Sequence, residues 1–396
     1  MVKNNPSISQ LLPNGLGDIL PPETTKRRRI LNAIMDSFAR FGYADVSPPL
    51  VEYEDTLLAK GPGAALADNT FRLMDPVTRR MLALRSDMTA QIARIASSRL
   101  AHHPRPLRLS YTGQVMRINP DPVNPERQLV QIGAELIGAS SIHHDAEVAV
   151  MALESLYQAG IASLSIDLNA PRLLDIILGD DGTEHRDNND QIFALRHAVS
   201  IKDGKAASMV DHPQGYVIKT LLDMPLNSAS DIKSNMVGLD QHIPEPARHM
   251  LAELADLADL IARSAPYVSL TIDPLERRGF DYHQGIGFSI LAPGVRGELG
   301  RGGRYSTQSP HDRPTELSTG VTLYLERVLQ AAPATPKQDK LYVRKDQGLD
   351  HVISLTRDGY FIMIGDADPA DDAACQAEAA AQEATHIYTS NGIKTI

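Results

Sequence analysis

The sequence predicts an α+β chain: an antiparallel sheet flanked by helices, a helical insertion, and a short C-terminal α/β domain. Three observations carry that prediction. Short extended runs alternate with amphipathic helices through the first half. Residues 179–265 lose extended character and read as helix and loop. The run Ala331-Ala332-Pro333-Ala334-Thr335-Pro336 is a linker by composition, with about sixty residues beyond it. At 396 residues the chain suits two or three domains, and its 42% hydrophobic and 22% charged content is that of a soluble folded protein. We assign residues 1–330 to the core, with about 179–265 as an inserted helical subdomain, and 331–396 to the C-terminal domain.

The elements follow in order. Within residues 24–43, Ile30, Leu31, Ile34, Phe38 and Phe41 recur at helical spacing and Gly42 stops the helix. Its basic run, Lys26 to Arg29, reads as a solvated face or an anion contact. Residues 44–50 are extended and closed by prolines. Residues 71–74 and 80–84 flank Asp75-Pro76 as a hairpin, and helical spacing resumes over 87–100 with Ser86 or Asp87 as cap. Strands are expected at 107–111, 114–118, 129–137 and 164–168, with a helix at 146–158. After the insertion, 268–272, 287–291 and 297–299 read as strands and 322–329 as a helix. In the tail, 352–355 reads as a strand and 371–384 as an Ala-rich helix.

Composition removes several function classes. One cysteine, Cys375, leaves neither an internal disulfide nor a Cys-type zinc site. The net charge of −10 works mildly against nucleic-acid binding. No apolar run reaches the ~18 residues of a membrane span, and the first ten residues lack a secretory pattern, so a cytoplasmic location is expected. The pairs His102-His103 and His143-His144 lack metal-ligand spacing, and no Gly-x-Ser-x-Gly elbow is present. Glycines 294, 297, 300, 302 and 303 surround Arg301 and Arg304 in a stretch where backbone could approach a ligand, although the spacing matches no phosphate loop.

Polar residues gather at strand ends. Gln131, Gly133 and Glu135 point to one side of an extended run, giving either a wet sheet face or a ligand floor. Asp87 and Thr89 sit at a strand-to-helix junction, Arg117 at a strand end, and Arg278, Asp281, Tyr282 and His283 before another strand.

Taken in order, these stretches resemble the class II aminoacyl-tRNA synthetase core and, within it, the histidyl-tRNA synthetase lineage. Leu12-Pro13-Asn14-Gly15-Leu16-Gly17-Asp18 resembles the opening segment, and Ser47-Pro48-Pro49 the dimer-interface motif. Arg85-Ser86-Asp87-Met88-Thr89 resembles Arg-Pro-Glu-x-Thr. Gly113 to Arg117, with Arg127 to Glu135, resembles motif 2 and its following strand. Arg278-Gly279-Phe280-Asp281-Tyr282-His283 resembles the histidine signature, and Gly302-Gly303-Arg304-Tyr305 the Gly-Gly-Arg-Tyr element.

The departures fall on the nucleotide elements. Ile118-Asn119-Pro120 stands where the family places a glutamate, and Tyr324 stands two positions before Glu326-Arg327 where it places a glycine. With the shortened tail, this combination resembles the synthetase-like ATP phosphoribosyltransferase regulatory subunits. The resemblance implies a non-catalytic chain that binds histidine, activates a short-form ATP phosphoribosyltransferase catalytic subunit at the first step of histidine biosynthesis, and needs no cofactor or metal. It also implies a homodimer building block in a hetero-oligomer that binds no tRNA. On the same basis Asp87, Thr89 and Gln131 surround the ammonium of histidine. Arg117 and Arg278 face the carboxylate, and Glu135 with Tyr282 or His283 reads the imidazole. An active histidyl-tRNA synthetase and a tRNA-like RNA binder remain as alternatives.

Overall fold

The computed structural model describes residues 11–59, 63–119, 125–179, 190–224, 228–239, 242–277, 283–307, 315–336, 338–389 and 392–396. They divide into two compact units, Met1–Pro333 and Ala334–Ile396. The first is built on an eight-stranded sheet of order β1-β5-β6-β11-β10-β9-β7-β8. Its strands are β1 (Ala44–Asp45), β5 (Leu107–Met116), β6 (Gln128–Ile137), β7 (Ser165–Asn169), β8 (Ser269–Ile272), β9 (His283–Leu291), β10 (Gly300–Thr307) and β11 (Glu316–Tyr324). The central pairs from β5 to β7 are antiparallel; the edge pairs β1–β5 and β7–β8 are parallel. A smaller sheet joins β2 (Val51–Tyr53), β3 (Arg72–Met74) and β4 (Met81–Leu84).

Two helices, α1 (Glu23–Arg40) and α4 (Ile142–Gln158), cover one face of the large sheet. Alternation makes this possible. Ile132, Ala134 and Leu136 of β6 point into a core shared with Ile30, Ile34 and Phe38 of α1 and Val148 and Met151 of α4. Gln131, Gly133 and Glu135 therefore point to the opposite face. That face is covered in part by α3 (Thr89–Ser97), whose Ile92 and Ala96, with Met88 at its N-cap, pack on Leu109, Tyr111 and Ile137. The short α2 (Glu54–Leu57) borders the small sheet.

The helical stretch comprises α5 (Leu173–Leu178), α6 (Asp190–Ser200), α7 (Gly204–Met209), α8 (Gly215–Asp223), α9 (Ala229–Leu239) and α10 (Glu245–Ser264). Its longest member, α10, buries Leu251, Leu254, Leu257 and Ile261 in the same core as α4 and the sheet. None of the described helices is long and apolar enough to cross a membrane. After β11, α11 (Leu325–Ala331) closes the unit.

The second unit has a four-stranded sheet of order β13-β12-β14-β15, with β12 (Lys340–Val343), β13 (Phe361–Ile364), β14 (His386–Thr389) and β15 (Gly392–Thr395). Helix α12 (Leu349–Arg357) packs its Leu355 on Leu341 and Val343, whereas Cys375 and Ala379 of α13 (Asp372–Ala381) pack on Tyr342 and Ile387. The two helices thus lie on opposite sides of β12.

Several expectations are corrected. Residues 107–116 form one strand, because Gly113 stays in register opposite Gln131 and does not break it. Residues 300–307 and 316–324 are central strands. The glycines that mask β10 in the sequence are required by close packing, since a Cβ on Gly302 would meet the Phe288 ring and the Gly320 carbonyl. The last helix of the first unit starts at Leu325, with Thr322 to Tyr324 still in β11. Residues 297–299 precede β10 as bend and loop, and only 44–45 of the segment 44–50 pair as strand. Val352 to Leu355 is helical, a short apolar run that periodicity alone does not resolve.

Candidate functional site

The site grows from the odd-numbered face of β6. Register places Glu135 opposite Gly320 of β11, Gly133 opposite Thr322, and Gln131 opposite Tyr324. Gln131 and Glu135 are 2% and 1% exposed, so this face is a buried floor and not a wet sheet surface. Two glycines make room: a Cβ on Gly133 would run into the Tyr111 ring, and one on Gly320 into the Glu135 carboxylate.

Gln131 organises one end of the floor. Its Oε1 accepts from the Met88 backbone N–H at 2.9 Å, and its Nε2 donates to Asp87 Oδ2 at 2.9 Å and Thr322 Oγ1 at 3.1 Å. Asp87 Oδ1 in turn accepts from the Thr89 N–H at 2.7 Å, fixing the turn into α3. Arg85, at the head of the same junction, donates to the carbonyls of Gln114 and Pro48 at 2.7 and 3.0 Å and ties the junction to β5.

Glu135 sits at the other end. The hydroxyls of Tyr111 and Tyr305 donate to its two carboxylate oxygens at 3.1 and 2.8 Å. Burial drives its pKa up to about 8, against the opposing pull of the two tyrosines, so the carboxyl is largely protonated at neutral pH. No ion pair reaches it among the described residues, and the groups acting on it are Tyr305, Tyr111, Asp87 and Thr89. Thr89 Oγ1 lies 3.4 Å from the Tyr111 hydroxyl, and His283, 4% exposed, opens β9 beside them. Asp87, Thr89, Glu135, His283, Tyr305 and Thr322 line a recess of about 40 Å³.

The sequence-named residues Asp87, Thr89, Gln131, Glu135 and His283 are therefore brought together. Arg117 is not on that recess; it lines a neighbouring cavity of about 180 Å³ with Leu129, Glu298, Arg301, Tyr324, Glu326 and Arg327. Arg278 and Tyr282 lie outside the described residues. Tyr324 and Arg301 line both spaces and stand between them.

In the neighbouring cavity most charges are met from within the chain; Arg117, whose Nε reaches the Ser86 carbonyl at 3.5 Å, forms no ion pair among the described residues, and Glu326 Oε2 is buried without a hydrogen-bond partner. Arg301 Nε donates to Glu298 Oε1 at 2.7 Å, and Arg327 Nη1 donates to the Glu298 carbonyl at 3.1 Å while its guanidinium lies 5.2 Å from the Tyr324 ring centroid. Glu326 Oε1 accepts from Arg27 at 2.8 Å and from the Val130 N–H at 3.1 Å. Arg27 belongs to the basic run of α1, and its neighbour Lys26 donates to the Leu329 carbonyl at 2.7 Å, so two of those four cations fasten α1 to α11.

Beneath the floor, on the opposite side of the sheet, Arg304 pairs with Asp145 of α4 at 2.5 Å and with Glu253 of α10 at 3.1 Å. Asp145 also accepts from Thr319 at 2.5 Å. This buried pair holds β10 and β11 where Tyr305 meets Glu135. Sequence reasoning missed Tyr111, Tyr305 and the Arg304–Asp145 pair. The available signal for Tyr111 was a glycine, Gly133, on the same face of the strand as Gln131 and Glu135.

Comparison with known proteins places this geometry in a lineage. The histidyl-tRNA synthetase family model matches residues 15–328. An ATP phosphoribosyltransferase regulatory subunit of Rhodospirillum centenum is 37% identical over 392 residues, covering 99% of this chain and 97% of that protein. One from Rhodospirillum rubrum is 41% identical over 329 residues, covering 81% and 80%. The crystal structure of an ATP phosphoribosyltransferase regulatory subunit/histidyl-tRNA synthetase from Bacillus halodurans superposes with a TM-score of 0.76 at 22% identity, covering 94% of this chain and 96% of that one, and supports the fold.

Proposed function

We propose that this chain, which belongs to the histidyl-tRNA synthetase family and within it to the ATP phosphoribosyltransferase regulatory subunits, senses histidine and controls a separate catalytic subunit. The regulatory role follows the relatives' names. Histidine sensing rests on one observation: a buried carboxyl, Glu135, held by two tyrosine hydroxyls and without an ion pair among the described residues, at the floor of a polar recess.

In this reading Asp87, Thr89 and Gln131 receive the ammonium of histidine and Glu135 accepts from an imidazole N–H. His283 and the signature residues Arg278 and Tyr282 complete the shell, with Arg117 and Arg278 on the carboxylate side. A site built around buried polar groups rejects analogues that leave those groups unpaired, which is the property a sensor needs. An ionised Glu135 is the better acceptor, so histidine binding near pH 7 releases a proton from it.

Aminoacylation is lost in this reading because Tyr324 fills space beside the seat where a nucleotide would lie, and Glu298 engages Arg301 and the main chain engages Arg327. No cofactor is required. The assembly is a cytoplasmic hetero-oligomer of homodimers of this chain with the short-form catalytic subunit. Exposed Leu73, Met74, Val77 and Met81 on the β3–β4 hairpin offer apolar surface of the kind that a second copy covers.

Regulation requires histidine to favour one state of the complex over another, a coupling typically worth ~1–3 kcal/mol. The test is to reconstitute the chain with a short-form catalytic phosphoribosyltransferase and titrate histidine. The chain should raise the catalytic rate and histidine should depress it. Glu135→Ala should keep the activation and lose the inhibition; undiminished inhibition in that variant would contradict the assigned pocket.

A further inference from the structure

We propose that the C-terminal unit carries a second ligand site, a cleft for a small organic anion at the carboxyl ends of β12 and β14. The argument begins with topology. Strand β12 is followed by α12 and returns as β13 on one side, and the chain then crosses through α13 to β14 on the other, all three strands parallel. The resulting order, second-first-third, makes the gap between β12 and β14 a topological switch point. In open α/β sheets ligands bind beyond the carboxyl ends of the strands at such a reversal of strand order; here the chain leaves β12 for α12, while β14 turns directly into its antiparallel neighbour β15.

The cavity found there is about 580 Å³, within the size range of small-molecule sites. Its walls come from the segment after β12 (Arg344, Asp346), the end of β14 (Tyr388, Thr389), α13 (Asp372, Gln376) and β15 (Lys394).

The side chains give the ligand class. Arg344 is fixed in place: Nη1 donates to the Pro369 carbonyl at 2.7 Å and Nη2 to Asp372. Its Nε is buried without an acceptor. Lys394, exposed on β15, makes no ion pair among the described residues, and Asp372 is already engaged by Arg344. Asp346 is the remaining side-chain carboxylate on the wall, which Ile396 also lines, and it suits a hydroxyl or amine on the ligand body, as do Gln376 and Thr389. A phosphate or carboxylate head toward Arg344 and Lys394, on a polar body, matches this arrangement.

The experiment is calorimetric titration of the full chain with inorganic phosphate, ribose 5-phosphate and citrate, repeated on Lys394→Glu and Glu135→Gln. The proposal expects ribose 5-phosphate or citrate to bind more tightly than inorganic phosphate. Which of the two binds identifies the head group as phosphate or carboxylate. Lys394→Glu should weaken that binding at least about tenfold, and Glu135→Gln should leave it unchanged, separating this cleft from the first-unit recess. Three results would each overturn it: no organic probe binding into the millimolar range, inorganic phosphate binding as well as the organic probes, or an affinity indifferent to Lys394→Glu.

Discussion

Two neighbouring spaces on one sheet face differ in how their charges are met. At the Glu135 end, a buried carboxyl is held only by neutral hydroxyls and its pKa is lifted by burial. At the Tyr324 end, Arg301 and Arg327 meet Glu298, while Glu326 meets Arg27 and the Val130 amide. The second space holds more charge and has less reason to bind a charged ligand. A buried group supported by weak, exchangeable partners points to a ligand more strongly than arginines already paired within the chain, since each pairing must be broken before a ligand can be gained.

The largest expected consequence concerns pH. Glu135 keeps its proton in the folded chain up to about 8, whereas the unfolded chain loses it near 4.5. Between those values the native state binds the extra proton, so its contribution to stability is complete below about 4.5, declines as pH rises through the window, and is gone above about 8. The slope is at most ~1.4 kcal/mol per pH unit. Urea unfolding at a series of pH values should show it as the difference between the natural chain and Glu135→Gln, which stays neutral throughout. Parallel curves for the two would remove the distinction between the two spaces.

Next in size is Tyr324→Ala, which should cost ~3 kcal/mol in the same assay, as large-to-small aromatic changes do, and raise ATP affinity by opening the arginine cavity. A variant that loses stability and gains no ATP binding would show that the ring does not block the seat. Glu135→Ala should weaken histidine binding by roughly 100-fold, about 2.7 kcal/mol, measured by calorimetry. The smallest effect belongs to Glu298→Gln, expected to cost ~1 kcal/mol because its partners are only partly buried, with a modest gain in phosphate affinity.

Much of the floor was legible in the sequence because alternation with a period of two puts Gln131, Gly133 and Glu135 on one side of any strand. What lies opposite them was not. Tyr111 and Tyr305 meet Glu135 through register, and Arg304 meets Asp145 across 159 positions. No local spacing encodes such pairings. The core strand β10 was hidden by its glycines, which lower strand propensity but are needed where β9 and β11 crowd it. The basic run of α1, open between solvated face and anion contact, ties that helix to α11, a long-range contact that a charge run cannot announce.

The most direct measurement of the central claim is exchange of labelled pyrophosphate into ATP by the purified chain, with and without histidine. A retained histidine recess beside a closed nucleotide seat predicts no histidine-dependent exchange above background. Histidine-dependent exchange at the rate of a charging synthetase would contradict the account.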